Sequence, residues 1–92
     1  MKYVFVVRWL KHIDGEVECG NFEFCYKDEK EAEKKMLEDM ENTKKDWERD
    51  EEVKSRIGKK NGNGCSDYCG IWIEDNNTYD YHDWWIDKLP IL

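Results

Sequence analysis

Alternation of the aromatic rings opens the chain. From Tyr3 to Ile13 large apolar residues sit at odd positions (Tyr3, Phe5, Val7, Trp9), and from Glu16 to Tyr26 they sit at even ones (Phe22, Phe24, Tyr26). A period of two is the mark of a strand with one covered face. Asp14-Gly15 between the runs is a preferred two-residue type I′ turn. If those residues form the loop, Ile13 faces Glu16 and the whole register follows. Tyr3 then faces Tyr26, Phe5 faces Phe24, Val7 faces Phe22, Trp9 lies over Gly20, and Lys11 faces Glu18. A slip of one residue would destroy every one of these pairs. The opposite face, with Val4, Val6, Arg8, Leu10, His12, Val17, Cys19 and Cys25, is mixed and is expected to be only partly covered.

The period then changes. Asp28 is a good helix N-cap, with Glu31 three residues on as a capping-box partner. Ala32, Met36, Met40, Thr43 and Trp47 form a stripe at steps of four and three, which Val53 and Ile57 continue. Gly58 suits the position just past the helix end. These signals predict a helix over 28–57, bent or broken near Asp50 because ~45 Å of helix overhangs an ~36 Å strand. Lys59 to Gly64, KKNGNG, reads as a loop. It lacks the Gly-Lys-Ser/Thr ending of a phosphate-binding loop, so a flexible connector is expected.

A second hairpin is predicted over 67–88, turning at Asn76-Asn77. That turn sets Trp72 against Tyr81, Tyr68 against Trp85, Ile71 against His82 and Cys69 against Trp84. Residues 89–92 are expected to form a tail, with Pro90 ending regular pairing. The expectation is one domain over 1–92 of the α+β class: a two-layer ββαββ fold with a four-stranded antiparallel sheet and one long helix on one face.

Composition sharpens this picture. Mean hydropathy is −1.02 and 40% of residues are charged, yet 13 of the 92 residues are Phe, Trp or Tyr. Few side chains can therefore build a dense core inside a very polar chain. The apolar run Tyr3–Val7 is too short for a secretory segment, and no stretch approaches the ~20 apolar residues of a membrane span. A cytoplasmic protein with reduced thiols is expected.

The net charge is −7. It argues against direct binding of nucleic acid and for attraction to a basic partner. Residues 65–92 hold six acids, one base and six of the aromatics, the most one-signed segment of the chain. In Tyr79–Asp87, parity puts Tyr79, Tyr81, Asp83, Trp85 and Asp87 on one face, and Asp80, His82, Trp84 and Ile86 on the other. One of the two adjacent indoles can enter the core, and the other faces outward unless something covers it; the plainer alternative is that both serve as core and sheet cover. The predicted partner-binding set is Glu74, Asp75, Asp80, Asp83 and Asp87 around Trp84, helped by Asp50, Glu51 and Glu52. An aromatic anchor among carboxylates is the make-up of a binding hot spot for a basic protein surface.

The chemistry of catalysis is not legible. No thiol or hydroxyl sits beside a base in a recognisable pattern, so no enzymatic activity and no cofactor are expected. The expected function is a non-enzymatic, acidic protein-binding domain, monomeric or homodimeric. Its partner would be a nucleic-acid-binding protein whose groove the carboxylates occupy in place of phosphates. In size and composition alone, the chain is similar to small phage and mobile-element inhibitors of host nucleases, anti-CRISPR proteins among them. Two alternatives stand beside it. One is a zinc-stabilised domain using Cys19, Cys65, Cys69 and His82, though the Cys65-x-x-x-Cys69 spacing is unlike that of a zinc knuckle. The other is self-association through Val4, Val6, Leu10 and Val17.

Overall fold

The computed structural model describes residues 2–47, 53–59, 67–74 and 79–91. Its elements run β1 (Tyr3–Ile13), β2 (Glu16–Tyr26), α1 (Glu29–Trp47), β3 (Lys54–Lys59), β4 (Asp67–Glu74) and β5 (Tyr79–Pro90). The class is α+β, with one helix against an antiparallel sheet. The sheet has five strands, ordered β2-β1-β5-β4-β3, not the four predicted. No helix among the described residues is long and apolar enough to cross a membrane.

The first hairpin forms as its turn dictates. Asp14 and Gly15 both have positive φ, 51° and 81°, which the type I′ turn requires at both positions. Ile13↔Glu16, Lys11↔Glu18 and Trp9↔Gly20 pair as predicted. Lys11 Nζ lies 3.4 Å from Glu18. A Cβ on Gly20 would meet the Trp9 ring at 2.7 Å, so the indole lies directly over the glycine. Beyond Arg8↔Asn21 the register shifts, and Val6 pairs with Cys25. Phe22, Glu23 and Phe24 thus oppose Val7 alone, two residues in excess. The predicted Tyr3–Tyr26 and Phe5–Phe24 pairs give way to Phe5↔Tyr26. Two extra residues leave parity intact outside the bulge. Phe22 and Tyr26 still pack against the core, while Phe24 is 69% exposed.

Asp28 caps α1 as expected. Its Oδ1 accepts from the Lys30 N–H at 3.0 Å, and its carbonyl accepts from Ala32. Ala32, Met36 and Met40 are buried, but the described helix ends at Trp47, so the predicted span of 28–57 is too long. Asp50, where a break was expected, lies outside the described residues. Val53 enters the core and 54–59 is strand β3, hydrogen-bonded to β4. The reason is geometric. A spacing of four, as between Val53 and Ile57, keeps two residues on one face of a helix and equally on one face of a strand. Propensity alone does not separate the two, whereas pairing with β4 does. Gly58, the predicted helix terminator, is instead a strand residue beneath Tyr68, and a Cβ there would collide with the tyrosine ring.

The second hairpin keeps its whole predicted register, from Tyr68↔Trp85 to Trp72↔Tyr81. Strand β5 continues through the predicted tail, with Val4↔Leu89 and Tyr3↔Pro90, and the Ile91 N–H donates to the Lys2 carbonyl at 2.9 Å. Pro90 is tolerated because β4 and β5 are paired only as far as Trp85. Among the described residues, only β1 adjoins β5 at Pro90. The two hairpins join at the β1–β5 seam, which pairs Val7 with Ile86 and Trp9 with Trp84. Helix α1 covers that face. Val7, Ala32, Met36, Met40, Val53, Cys69, Ile71, Trp84 and Ile86 form the core between helix and sheet. The other face has no layer on it among the described residues.

Candidate functional site

The uncovered sheet face is a grid of side chains set by four strand registers. One row across the sheet reads Lys54, Trp72, Tyr81, His12, Val17. The next reads Arg56, Gly70, Asp83, Leu10, Cys19. The third reads Gly58, Tyr68, Trp85, Arg8, Asn21. The outer rows are rich in rings. The middle row has no side chain at Gly70, where Asp83 leans across so closely that a Cβ would collide with its carboxylate. The result is a trough floored by Gly70, Asp83 and Leu10. Trp72 and Tyr81 form one wall, Tyr68 and Trp85 the other. A cleft of about 560 Å³ is lined by Leu10, Arg56, Tyr68, Tyr81, Asp83 and Trp85, with Trp84 also at its border between the last two. An adjoining hollow of about 330 Å³ shares Arg56, Tyr81 and Asp83 with it and adds Trp72 and Tyr79.

The charges in the trough are two. Burial pushes the Asp83 carboxyl above its usual range, and nearby Arg56 offsets part of that rise. Among the described residues no ion pair within 4 Å reaches Asp83. The Arg56 guanidinium instead sits 5.8 Å from the ring centroids of both Tyr68 and Trp72, one ring from each wall. At the trough's end His12 stacks on Tyr81, with 5.2 Å between centroids and planes 6° apart, and its Nδ1 lies 3.1 Å from the Tyr79 carbonyl oxygen.

Gly70→Ala is expected to lower stability by roughly 1–3 kcal/mol, because Asp83 must leave its place or the strands must separate. Gly58→Ala is expected to act likewise through Tyr68. Thermal unfolding checks both, and an unchanged midpoint would remove the close approach from the account.

The predicted site residues do not gather as expected. Trp84, the predicted surface anchor, is 0% exposed. It lies under α1, where its Nε1 donates to Asp39 Oδ2 at 2.8 Å. The parity was correct, but the helix covers the face that carries Trp84, and the indole on the open face is the half-buried Trp85. Asp80 is separated from Asp83 by the same parity. Its Oδ1 accepts from the Asp14 N–H at 3.1 Å and so pins the β1–β2 turn. Asp87 is ion-paired with Arg8. Glu74 ends β4. Asp50, Glu51, Glu52 and Asp75 lie outside the described residues.

The zinc set is likewise dispersed. Cys69 and His82 lie on the helix-covered face, Cys19 is exposed on the open face, and Cys65 lies outside the described residues. Among the described residues, no three or more His, Cys, Asp or Glu side chains are placed to hold a metal. Burial, then the nearby carboxylates Asp83, Asp39 and Glu41, push the Cys69 thiol up to about 12, so it stays protonated. The self-association set does share the open face. Val6 is buried, Val4 and Leu10 are half-buried, and Val17 is 59% exposed.

Sequence reasoning missed Tyr68, Trp72 and Arg56 as members of a site. The first two were within reach: the predicted hairpin register already set Gly70 opposite Asp83 between two ring pairs. Arg56 was hidden by its assignment to the helix. Comparison with family models, with curated proteins and with solved structures gave no match.

Proposed function

We propose that the chain is a non-enzymatic protein-binding domain that engages a basic protein surface through the open sheet face. Trp85, not Trp84, is the aromatic anchor, and Asp83 is the central carboxylate. The observation that carries this reading is the trough: four rings around a carboxylate that, among the described residues, has no ion pair within 4 Å, with Arg56 farther off in the same cleft, on a face that no described element covers. Aromatic side chains at a half-buried centre supply affinity, and the charge beside them supplies selectivity. The net charge of −7 favours attraction of basic proteins over long range.

In its sharper form the reading makes the domain a nucleic-acid mimic acting in the cytoplasm. It would be encoded by a phage or mobile element and would inhibit a host nucleic-acid-binding protein. Charge supports that form. Edge strand β2 carries Glu16, Glu18 and Glu23 and no basic residue. These carboxylates were not in the predicted set; Glu18 is paired with Lys11, and Glu23 adjoins the exposed Phe24.

The test is capture from a cell extract with the immobilised chain, repeated with Trp85→Ala. A basic protein retained by the first, lost by the second and released as salt rises is the expected result. Equal capture by both would sink the assignment of the open face. Competition between that protein's nucleic acid and this chain then tests mimicry, and simultaneous binding of both ends it.

A further inference from the structure

The trough is more specific than a sticky face. Its walls stand four residues apart along each strand, about 13 Å between Cα atoms, with room for one side chain between the rings. Arg56 shows what such walls hold. Its guanidinium lies between a ring of each wall, over Tyr68 and Trp72. In the same row two strands over, Asp83 lies between Tyr81 and Trp85, the next ring of each wall. Here, among the described residues, no cation lies within 4 Å of the carboxylate floor, and Arg56 acts on it only from farther off.

We infer that this second position is a seat for one lysine or arginine side chain of the partner. Its aliphatic stem lies between Tyr81 and Trp85, and its cation meets Asp83. The inference rests on the protein-binding reading above and names the chemistry it would recognise. The long stem of a basic residue covers ring surface while its head stays polar. The cation gains both the ring faces and a charge-assisted hydrogen bond. Other occupants fit less well. A phosphate or acidic side chain meets the repulsion of Asp83. A purely apolar side chain would seal the carboxylate away from water and bring it no partner, which is costly. A second copy of the chain would have to bring a basic side chain of its own past Arg56.

The position of Asp83 agrees with this role. Burial disfavours its ionised form, so the free protein carries a destabilised group that a bound cation relieves. Asp83→Asn removes the charge with nearly the same shape, and the variant is expected to fold at least as stably as the parent. That separates loss of binding from loss of structure.

The experiment is an NMR titration of the full chain with acetyl-Gly-Arg-Gly-amide, its lysine counterpart and its citrulline counterpart, the last a neutral isostere of arginine. The shifts followed are the Trp85 indole N–H and the Asp83 carboxyl carbon. Both cationic peptides are expected to move both signals to saturation. Citrulline is expected to bind roughly tenfold more weakly, and Asp83→Asn to weaken the cationic peptides by about the same factor. Asp46→Asn, on the exposed side of α1, is expected to leave the titration unchanged.

Equal binding of arginine and citrulline, or of parent and Asp83→Asn, would overturn the seat. So would a short single-stranded oligonucleotide that shifts the same signals at lower concentration. The two readings fail separately. A captured basic protein lost by Trp85→Ala but kept by Asp83→Asn removes the seat and leaves the binding function. Saturable binding of the arginine peptide with no basic protein captured does the reverse.

Discussion

Trp84→Ala is expected to cost about 4 kcal/mol, a large share of the ~5–15 kcal/mol that holds a small domain folded. Trp84 is the largest fully buried side chain, and its removal opens a cavity where the helix meets the β1–β5 seam. It also breaks the hydrogen bond to Asp39 and the stacking on His82, whose ring centroid is 3.7 Å away at an interplanar angle of 14°. Trp84→Phe keeps most of the ring and loses only the donor, so it is expected to cost much less. Trp85→Ala removes a half-exposed ring and is expected to fall nearer 1 kcal/mol. Urea unfolding of the three variants gives the order. Should Trp84→Ala prove as mild as Trp85→Ala, the assignment of the two indoles to their faces is wrong. This result also reverses the expectation from sequence, in which Trp84 was the removable surface ring.

Acidification is expected to destabilise the fold well before the carboxylates protonate. His82 is 8% exposed and enclosed by Trp9 of β1, Trp47 of α1 and Trp84 of β5. Among the described residues, neither ring nitrogen has a hydrogen-bond partner. Burial, with Lys11 of β1 adding to it, lowers its pKa from 6.5 to about 4. Between those values the unfolded chain binds a proton that the folded chain refuses. The stability of the neutral form is therefore fully present above about pH 6.5 and is lost as pH falls toward 4. The slope approaches ~1.4 kcal/mol per pH unit, roughly 3 kcal/mol across the window. Asp83 works in the opposite sense, since a raised carboxyl pKa makes its cost shrink as pH falls. His82→Phe keeps an aromatic ring and cannot titrate, so its stability should stay flat where the parent's declines. Urea midpoints at pH 7 and pH 5 for both proteins decide it. A parallel decline in the two would assign the effect to other groups.

The protein-binding reading depends on the same separation of faces that these experiments probe. Trp84 and His82 belong to the side sealed by α1, and Trp85, Tyr81 and Asp83 to the side left open. A single step along β5 moves a residue from one role to the other. This is why the stretch Asp80–Asp87, which looks like one acidic aromatic patch when written out, divides into a core element, a turn anchor, an ion pair and a trough floor.

Local chemistry was enough for much of the fold. Asp14-Gly15 specifies the first turn, because both residues accept positive φ, and the turn specifies the register near it. Asp28 specifies the start of α1. The alternation in 68–86 specifies the second hairpin and the parity of Tyr68, Trp72, Tyr81, Asp83 and Trp85 in the proposed site. Each of these signals spans a few neighbouring residues and involves no distant partner.

Contacts between distant segments decided the remainder. Residues 54–59 carry a spacing that suits helix and strand alike, and only the edge of β4 selects the strand. Nothing near Val6 or Phe24 announces the bulge, which arises where two long strands must also match the helix and β5. The seam between β1 and β5 joins residues 69 to 87 positions apart, and the choice of which face α1 covers likewise rests on contacts between distant segments. Parity could say that Trp84 and Trp85 point opposite ways. Only the packing of Met36 and Met40 onto one side of the sheet could say which indole meets solvent, because burial is a property of both layers together.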